Sequence, residues 1–209
     1  MKKHQRLTRL LFRTIAMLLI FGIASLIFVR LTAKADSLIS FNENILGIIH
    51  DSEGSAVGTN GGASQIPESE CFSGRCVYFD GTAYITFGDE SNFDFAAATN
   101  WTIDFWFRTG DITSGTRVMV SKYWVDDIEG GYKIYMSSDG KVNFGVDDDN
   151  SWGPDDVATS ISAYDDNLWH HVEAVKSGTT SLTLYVDAVR VGIDPSIQDD
   201  RRKPDPADV

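Results

Sequence analysis

Four segments of this chain alternate apolar and polar residues in a fixed order: CVYFDGTAYITF (Cys76–Phe87), WTIDFWFRT (Trp101–Thr109), YKIYMSSDGKVNFGV (Tyr132–Val146) and WHHVEAVKSGTTSLTLYVDAVRV (Trp169–Val191). A period of two puts alternate side chains on opposite faces, which is the signature of half-buried strands. Each segment is rich in β-branched and aromatic residues and stops at Gly, Asp or Asn. Outside the N-terminal apolar run no stretch has a helical period. Strands at roughly ten-residue spacing with polar turns predict an all-β fold, a two-sheet antiparallel β-sandwich.

Within this series Val77–Asp80 and Ala83–Phe87 read as a hairpin about Asp80-Gly81. Tyr132–Ser137 and Lys141–Val146 read as a second about Ser138-Asp139-Gly140, and Trp169–Lys176 and Ser181–Val186 as a third about Ser177–Thr180. Arg117–Trp124 is a further strand, and Leu38–Ile49 a first strand region. Asp51–Ala63, rich in Gly, Ser and Asn, reads as loop, as do Asp89–Thr99 and the acidic stretch Asp147–Asp156. In the strongest strand Trp101, Ile103, Phe105 and Phe107 share the core face. Thr102, Asp104, Trp106 and Arg108 share the other, where Asp104 is expected to be solvated or paired with Arg108. Trp106 interrupts that polar face and needs a covering layer or loop.

The chain begins with a basic, acid-free MKKHQRLTRLLFR, then sixteen uncharged residues from Thr14 to Val29, then Ala33 and Ala35 as an A-x-A site. This is the order of a secretory signal cut before Asp36. The apolar run is shorter than the ~20 residues a membrane helix needs. Residues 1–35 carry seven of the 18 Lys and Arg and no acid, so the remainder holds 11 basic and 30 acidic side chains, net −19. Such a field repels nucleic acid and anionic lipid. It suits a secreted, cell-surface or periplasmic protein that meets cations, polysaccharide, glycoprotein or another extracellular protein. Cys71 and Cys76 both follow the signal, so a disulfide closing CFSGRC is expected. So short a ring contributes roughly 2 kcal/mol on a chain-entropy basis.

Several motifs resemble the laminin-G-like members of the concanavalin-A-like jelly rolls. These are the Asp- and Gly-rich Asp51–Gly62, the turn Phe79-Asp80-Gly81, the Phe105-Trp106-Phe107 strand, Trp169-His170-His171-Val172, and Leu184-Tyr185-Val186-Asp187. The resemblance runs from Leu38 to about Val191. It departs at Ala188, where similar domains carry Gly, so that turn is expected to be strained or of another type. Similar domains also continue with further strands. The resemblance therefore implies a jelly-roll domain over 36–193 that is incomplete at its C-terminus, with open sheet edges. A disordered tail is expected over 194–209.

Catalysis by a jelly-roll glucanase needs two carboxylates on one face, about 5 Å apart for retention. Along a strand Asp104 has only Thr102 and Trp106 as same-face neighbours, and Glu90, Asn92 and Asp94 sit in loop. His170 and His171 are adjacent, so they point to opposite faces and cannot chelate one metal together. The reading is therefore a binding module rather than an enzyme. Alternatives are a glycan-cleaving jelly roll or a fragment of a larger adhesin or enzyme. Calcium takes carboxylate and carbonyl oxygens in loops. The resemblance nominates Asp51 as a ligand, and the acidic loop nominates Asp147 and Asp149. Ring faces in loops suit glycans, which makes Tyr123, Trp124 and Trp152 the candidate ligand-binding residues.

Overall fold

The computed structural model describes residues 38, 39, 41, 48–88, 91–110, 114–123, 131–147, 153, 154 and 156–198. Thirteen strands are described: β1 (Ile48–His50), β2 (Val57–Gly61), β3 (Ser64–Ile66), β4 (Cys76–Tyr78), β5 (Tyr84–Thr86), β6 (Trp101–Arg108), β7 (Arg117–Tyr123), β8 (Gly131–Met136), β9 (Lys141–Asp147), β10 (Asp156–Ala163), β11 (Trp169–Ser177), β12 (Ser181–Val186) and β13 (Val189–Asp194). Two four-stranded antiparallel sheets, ordered β10-β9-β8-β7 and β13-β12-β11-β6, form the sandwich. Between them lie Ile134, Met136, Val142, Phe144, Val146 and Ala158 from the first, and Trp101, Val172, Ala174, Leu182, Leu184 and Val186 from the second. Ile103, Phe105 and Phe107 pack on this core from β6. The inward face expected of that strand is the one observed.

Trp101 sets one end of the core. Its ring centroid lies 4.8 Å from Phe95, 4.9 Å from Tyr132 and 5.3 Å from Phe144. A three-stranded sheet, β1-β2-β5, and a two-stranded one, β3-β4, carry a smaller cluster around Ile49 and Ala63.

Three local expectations change. The segment Cys76–Phe87 is not a hairpin, because β4 pairs with β3 and β5 with β2. Asp80 redirects the chain between the two sheets instead. Its Oδ1 accepts from the amides of Thr82 and Ala83 and from the Thr82 hydroxyl at 2.8–2.9 Å. The Gly-rich stretch read as loop holds β2. A Cβ at Gly58 would lie 2.6 Å from Phe87, so the missing side chain makes room for a cross-strand ring. Strand β10 falls where no strand was expected. It turns small residues inward, Ala158 and Ser160, and leaves Ile161 84% exposed, which inverts the usual apolar signal. Ser160 Oγ accepts the Val142 amide at 3.0 Å where the ladder is irregular.

The first residues of the segment expected to be a tail, Asp194–Gln198, are described. Asp194 ends β13, and Ile197 is buried against the core. At this side of the sandwich β10 and β13 meet. The Val157 amide donates to Asp194 Oδ2 at 3.2 Å and the Gln198 amide to Asp156 Oδ2 at 2.7 Å. Side-chain carboxylates thus take up backbone donors at a seam where no ladder joins the two sheets. Open sheet edges were expected, and β10 and β13 are one edge strand of each sheet. The two edges covering each other is the observed arrangement.

Turn Asp187-Ala188 joins β12 to β13 with φ of 52° and 63°. Positive φ at both central residues is the tight hairpin geometry that favours Gly. The turn expected to be strained or of another type is the left-handed one, with Ala188 bearing the strain.

Candidate functional site

The outer face of the β13-β12-β11-β6 sheet carries a ladder of aromatic and charged side chains. Register pairs Arg108 with Trp169, Trp106 with His171, and Asp104 with Glu173. The same rung continues from Glu173 to Tyr185 and from Tyr185 to Arg190. Sequence spacing along one strand missed the Asp104–Glu173 pair, because its members come from two strands. Directly opposite residues have Cβ atoms about 4.5–5.5 Å apart.

The disulfide loop lies on this face. Cys71 and Cys76 are bonded, with Cα atoms 5.6 Å apart. Phe72, inside the loop, stacks on Trp106 with centroids 3.5 Å apart and planes at 13°. Trp169 Nε1 donates to the Glu70 carbonyl at 3.2 Å, and Glu70 approaches Arg108 at 3.9 Å. The Arg108 guanidinium sits 5.5 Å over the Trp169 ring. So the covering expected for Trp106 comes from this loop, and Arg108 pairs with Glu70 rather than Asp104. Phe72 and Trp106 are still 52% and 43% exposed, so the stacked pair stands on the surface instead of closing it. On its other side Trp106 meets the His171 ring at 5.1 Å. His171 Nε2 is 3.1 Å from Asp104 Oδ1.

The two histidines point to opposite faces, as alternation requires. His170 turns inward and is buried. Its Nδ1 lies 2.8 Å from Asp187 and its Nε2 3.0 Å from Asp166. Burial pulls the His170 pKa down, but its hydrogen bonds to both carboxylates outweigh it and the net direction is up. Asp166 is lowered chiefly by its bond to His170. For Asp187 desolvation pushes up, and the bonds from His170 and the His171 amide carry it below its ordinary value.

The expected ion ligands occupy other settings. Asp51 is buried, and its Oδ1 accepts from the amides of Leu38, Glu53 and Gly54 at 2.7, 3.1 and 2.9 Å. Three amide hydrogens around that one oxygen tie the side chain to its own turn and to Leu38. Asp147, also buried, accepts the Gly153 amide at 3.0 Å and stands in another sheet. Burial lowers the Lys133 pKa and the Asp147 charge opposes that. Asp149 lies outside the described residues. Among the described residues no group of three or more His, Cys, Asp or Glu is set to hold a metal ion. Tyr123 ends β7 with Lys133 Nζ 4.1 Å over its ring. Trp124 and Trp152 lie outside the described residues.

A laminin-G-type family model, described as the concanavalin A-like lectin/glucanases superfamily, matches residues 79–206. The chain belongs to that superfamily. Among solved structures, this superfamily domain is similar to the binding domain of Paraclostridial Mosquitocidal Protein 1, with a TM-score of 0.57 and 13% identity over 80% of this chain and 41% of that one. It is similar also to the binding domain of Botulinum neurotoxin DC in complex with rat synaptotagmin II, with a TM-score of 0.57 and 15% identity over 80% and 41%. An S-layer domain-containing protein from Clostridium thermocellum matches at 23% identity over 78% of this chain and 73% of that one, with a TM-score of 0.49. The chain thus spans about two fifths of the toxin binding domains it resembles. No curated protein matches it.

Proposed function

We propose that this superfamily domain is an exported binding module that recognises a glycan through the outer face of the β13-β12-β11-β6 sheet. The observation that carries the reading is the surface-exposed Phe72–Trp106 stack, pinned by the disulfide loop beside Asp104, His171 and Arg108. Flat rings accept the apolar C–H faces of sugars, and fixed polar groups beside them accept and donate to hydroxyls. The toxin domains of this fold support a binding scaffold, one of them in complex with rat synaptotagmin II. A glycoprotein or other extracellular protein is the second kind of partner the reading admits. The disulfide supports an oxidising, extracytoplasmic location. Among the described residues no helix is long and apolar enough to cross a membrane. Calcium at Asp51 or Asp147 stays a separate proposal, outside the glycan face.

Native gels containing soluble polysaccharides test this reading. Retardation that Trp106→Ala removes, with far-UV circular dichroism unchanged, is the expected result. Equal mobility of both proteins in every gel counts against it.

One observation favours a glycan-cleaving alternative. Asp104 and Glu173 face each other across two strands, and two carboxylates on one sheet face are what a retaining glycosidase uses. Asp104 is engaged by His171 and lies largely open to solvent. Reducing-sugar release that Glu173→Gln abolishes would convert the binding reading into a catalytic one.

A further inference from the structure

A second ring is laid flat on the surface elsewhere, on the β1-β2-β5 sheet. Tyr84 is directly opposite Gly61. A Cβ built on Gly61 would lie 2.5, 2.6 and 2.8 Å from Cε2, Cζ and Cδ2 of Tyr84, three consecutive ring atoms. Nearly equal distances to three consecutive atoms put the ring's face, not its edge, over the glycine. The phenol is therefore held flat with one face on the backbone of β2, and it remains 60% exposed. Its backbone is fixed from two sides, by the Asp80 turn just before β5 and by a parallel bridge to Gly62.

Beside the ring, two residues along each strand and about 7 Å away, Thr59 pairs with Thr86. Both threonines are exposed. Further along the face Val57 pairs with His50, which are also exposed. Thr59, Thr86, Val57 and Tyr84 bring no carboxylate and no fixed cation to this patch, in a chain of net charge −12. Among the described residues the patch therefore offers a cationic ligand no carboxylate, while the field of the whole chain disfavours an anionic one. An uncharged ligand with an apolar ring face and hydroxyls at its rim complements it: the ring on Tyr84, the hydroxyls toward Thr59 and Thr86.

We infer that Tyr84, flattened on Gly61 and flanked by Thr59 and Thr86, is a stacking subsite for a neutral sugar unit, separate from the Phe72–Trp106 face. It extends the glycan-binding reading and has its own residues. Stacking depends on the ring, so the phenol oxygen is dispensable. Gly61 is a positioning residue, because any side chain there tilts the ring off the strand.

The experiment uses native affinity gels containing hydroxyethyl cellulose, xylan, mannan or galactan, with polygalacturonate as the anionic control. Wild type, Tyr84→Ala, Tyr84→Phe, Gly61→Ala and Trp106→Ala are compared, each checked by thermal melting. At least one neutral gel is expected to retard the wild type. Tyr84→Ala and Gly61→Ala are expected to weaken that retardation about tenfold, and Tyr84→Phe to keep it. Retardation that only Trp106→Ala removes leaves the proposed function standing and overturns the Tyr84 subsite. Retardation that Tyr84→Ala removes and Trp106→Ala does not supports the subsite and counts against the Trp106 face. No retardation in any neutral gel, equal retardation of wild type and Tyr84→Ala, or retardation by polygalacturonate alone, overturns the subsite.

Discussion

His170 Nδ1 lies 2.8 Å from Asp187 Oδ2, at a turn whose two central residues both have positive φ. Its other nitrogen faces Asp166. Carboxylates accept only, so the pair favours the form in which both ring nitrogens donate, in keeping with the upward direction of the His170 pKa. The same Asp187 carboxylate takes the His171 amide at 2.9 Å. One residue thus fixes the turn, the buried histidine and the strand that carries the outer face.

This arrangement predicts a pH window. His170 has a raised folded pKa, so its contribution is fully present below the unfolded value of about 6.5 and fades as pH rises through the folded one. Asp166 and Asp187 are lowered, so theirs is present above about 3.9 and is lost as pH falls through their folded values. Melting temperature is expected to fall above neutral pH in the wild type and to fall less steeply in His170→Gln. Parallel slopes for the two proteins between pH 6 and 9 would contradict the assignment.

Ala188 has φ of 63°. Left-handed backbone costs an L-residue about 1–2 kcal/mol, a cost that Gly avoids. Ala188→Gly is therefore expected to stabilise the protein by about 1 kcal/mol, a rise of roughly 2–4 °C for a domain of this size. A lower melting temperature would mean that the Ala188 methyl makes a compensating contact.

The Cys71–Cys76 bridge is expected to contribute about 2 kcal/mol through its short ring. Its larger effect is local. Cys71→Ser with Cys76→Ser should lose the near-ultraviolet circular dichroism of the Phe72–Trp106 stack at temperatures where the sandwich stays folded. An unchanged aromatic spectrum would show that the loop holds its place without the bridge.

Asp51 accepts three loop amides on one oxygen. Asp51→Ala leaves three backbone amides without their charged acceptor and is expected to cost about 2 kcal/mol in EGTA. A calcium-induced rise in melting temperature that Asp51→Ala abolishes would instead make Asp51 an ion ligand.

What alternation could reveal, it revealed. Trp101, Ile103, Phe105 and Phe107 face inward because a pleated strand obeys a period of two wherever one face is buried. Partner choice is another matter. The text of Cys76–Phe87 is equally suited to a hairpin or to two strands in different sheets, and Asp80 decides between them only in three dimensions. Strand β10 is not legible in the sequence because Ala158 and Ser160 face inward while Ile161 faces out. On the outer face, the Phe72–Trp106 stack joins a loop to a strand far along the chain. The Asp104–Glu173 pair depends on register between β6 and β11. No local spacing encodes either. Loop aromatics such as Tyr123, Trp124 and Trp152 stand out in the sequence as ligand candidates, whereas a strand aromatic on which a loop is pinned, such as Trp106, does not.

The most direct test of the central claim is the dissociation constant for a retarding soluble polysaccharide, measured by affinity electrophoresis for wild type and Trp106→Ala at equal melting temperature. At least a tenfold weakening is expected, with no reducing sugar released by either protein. An unchanged constant, or binding that persists after both Phe72 and Trp106 are replaced by Ala, would contradict the assignment of this face.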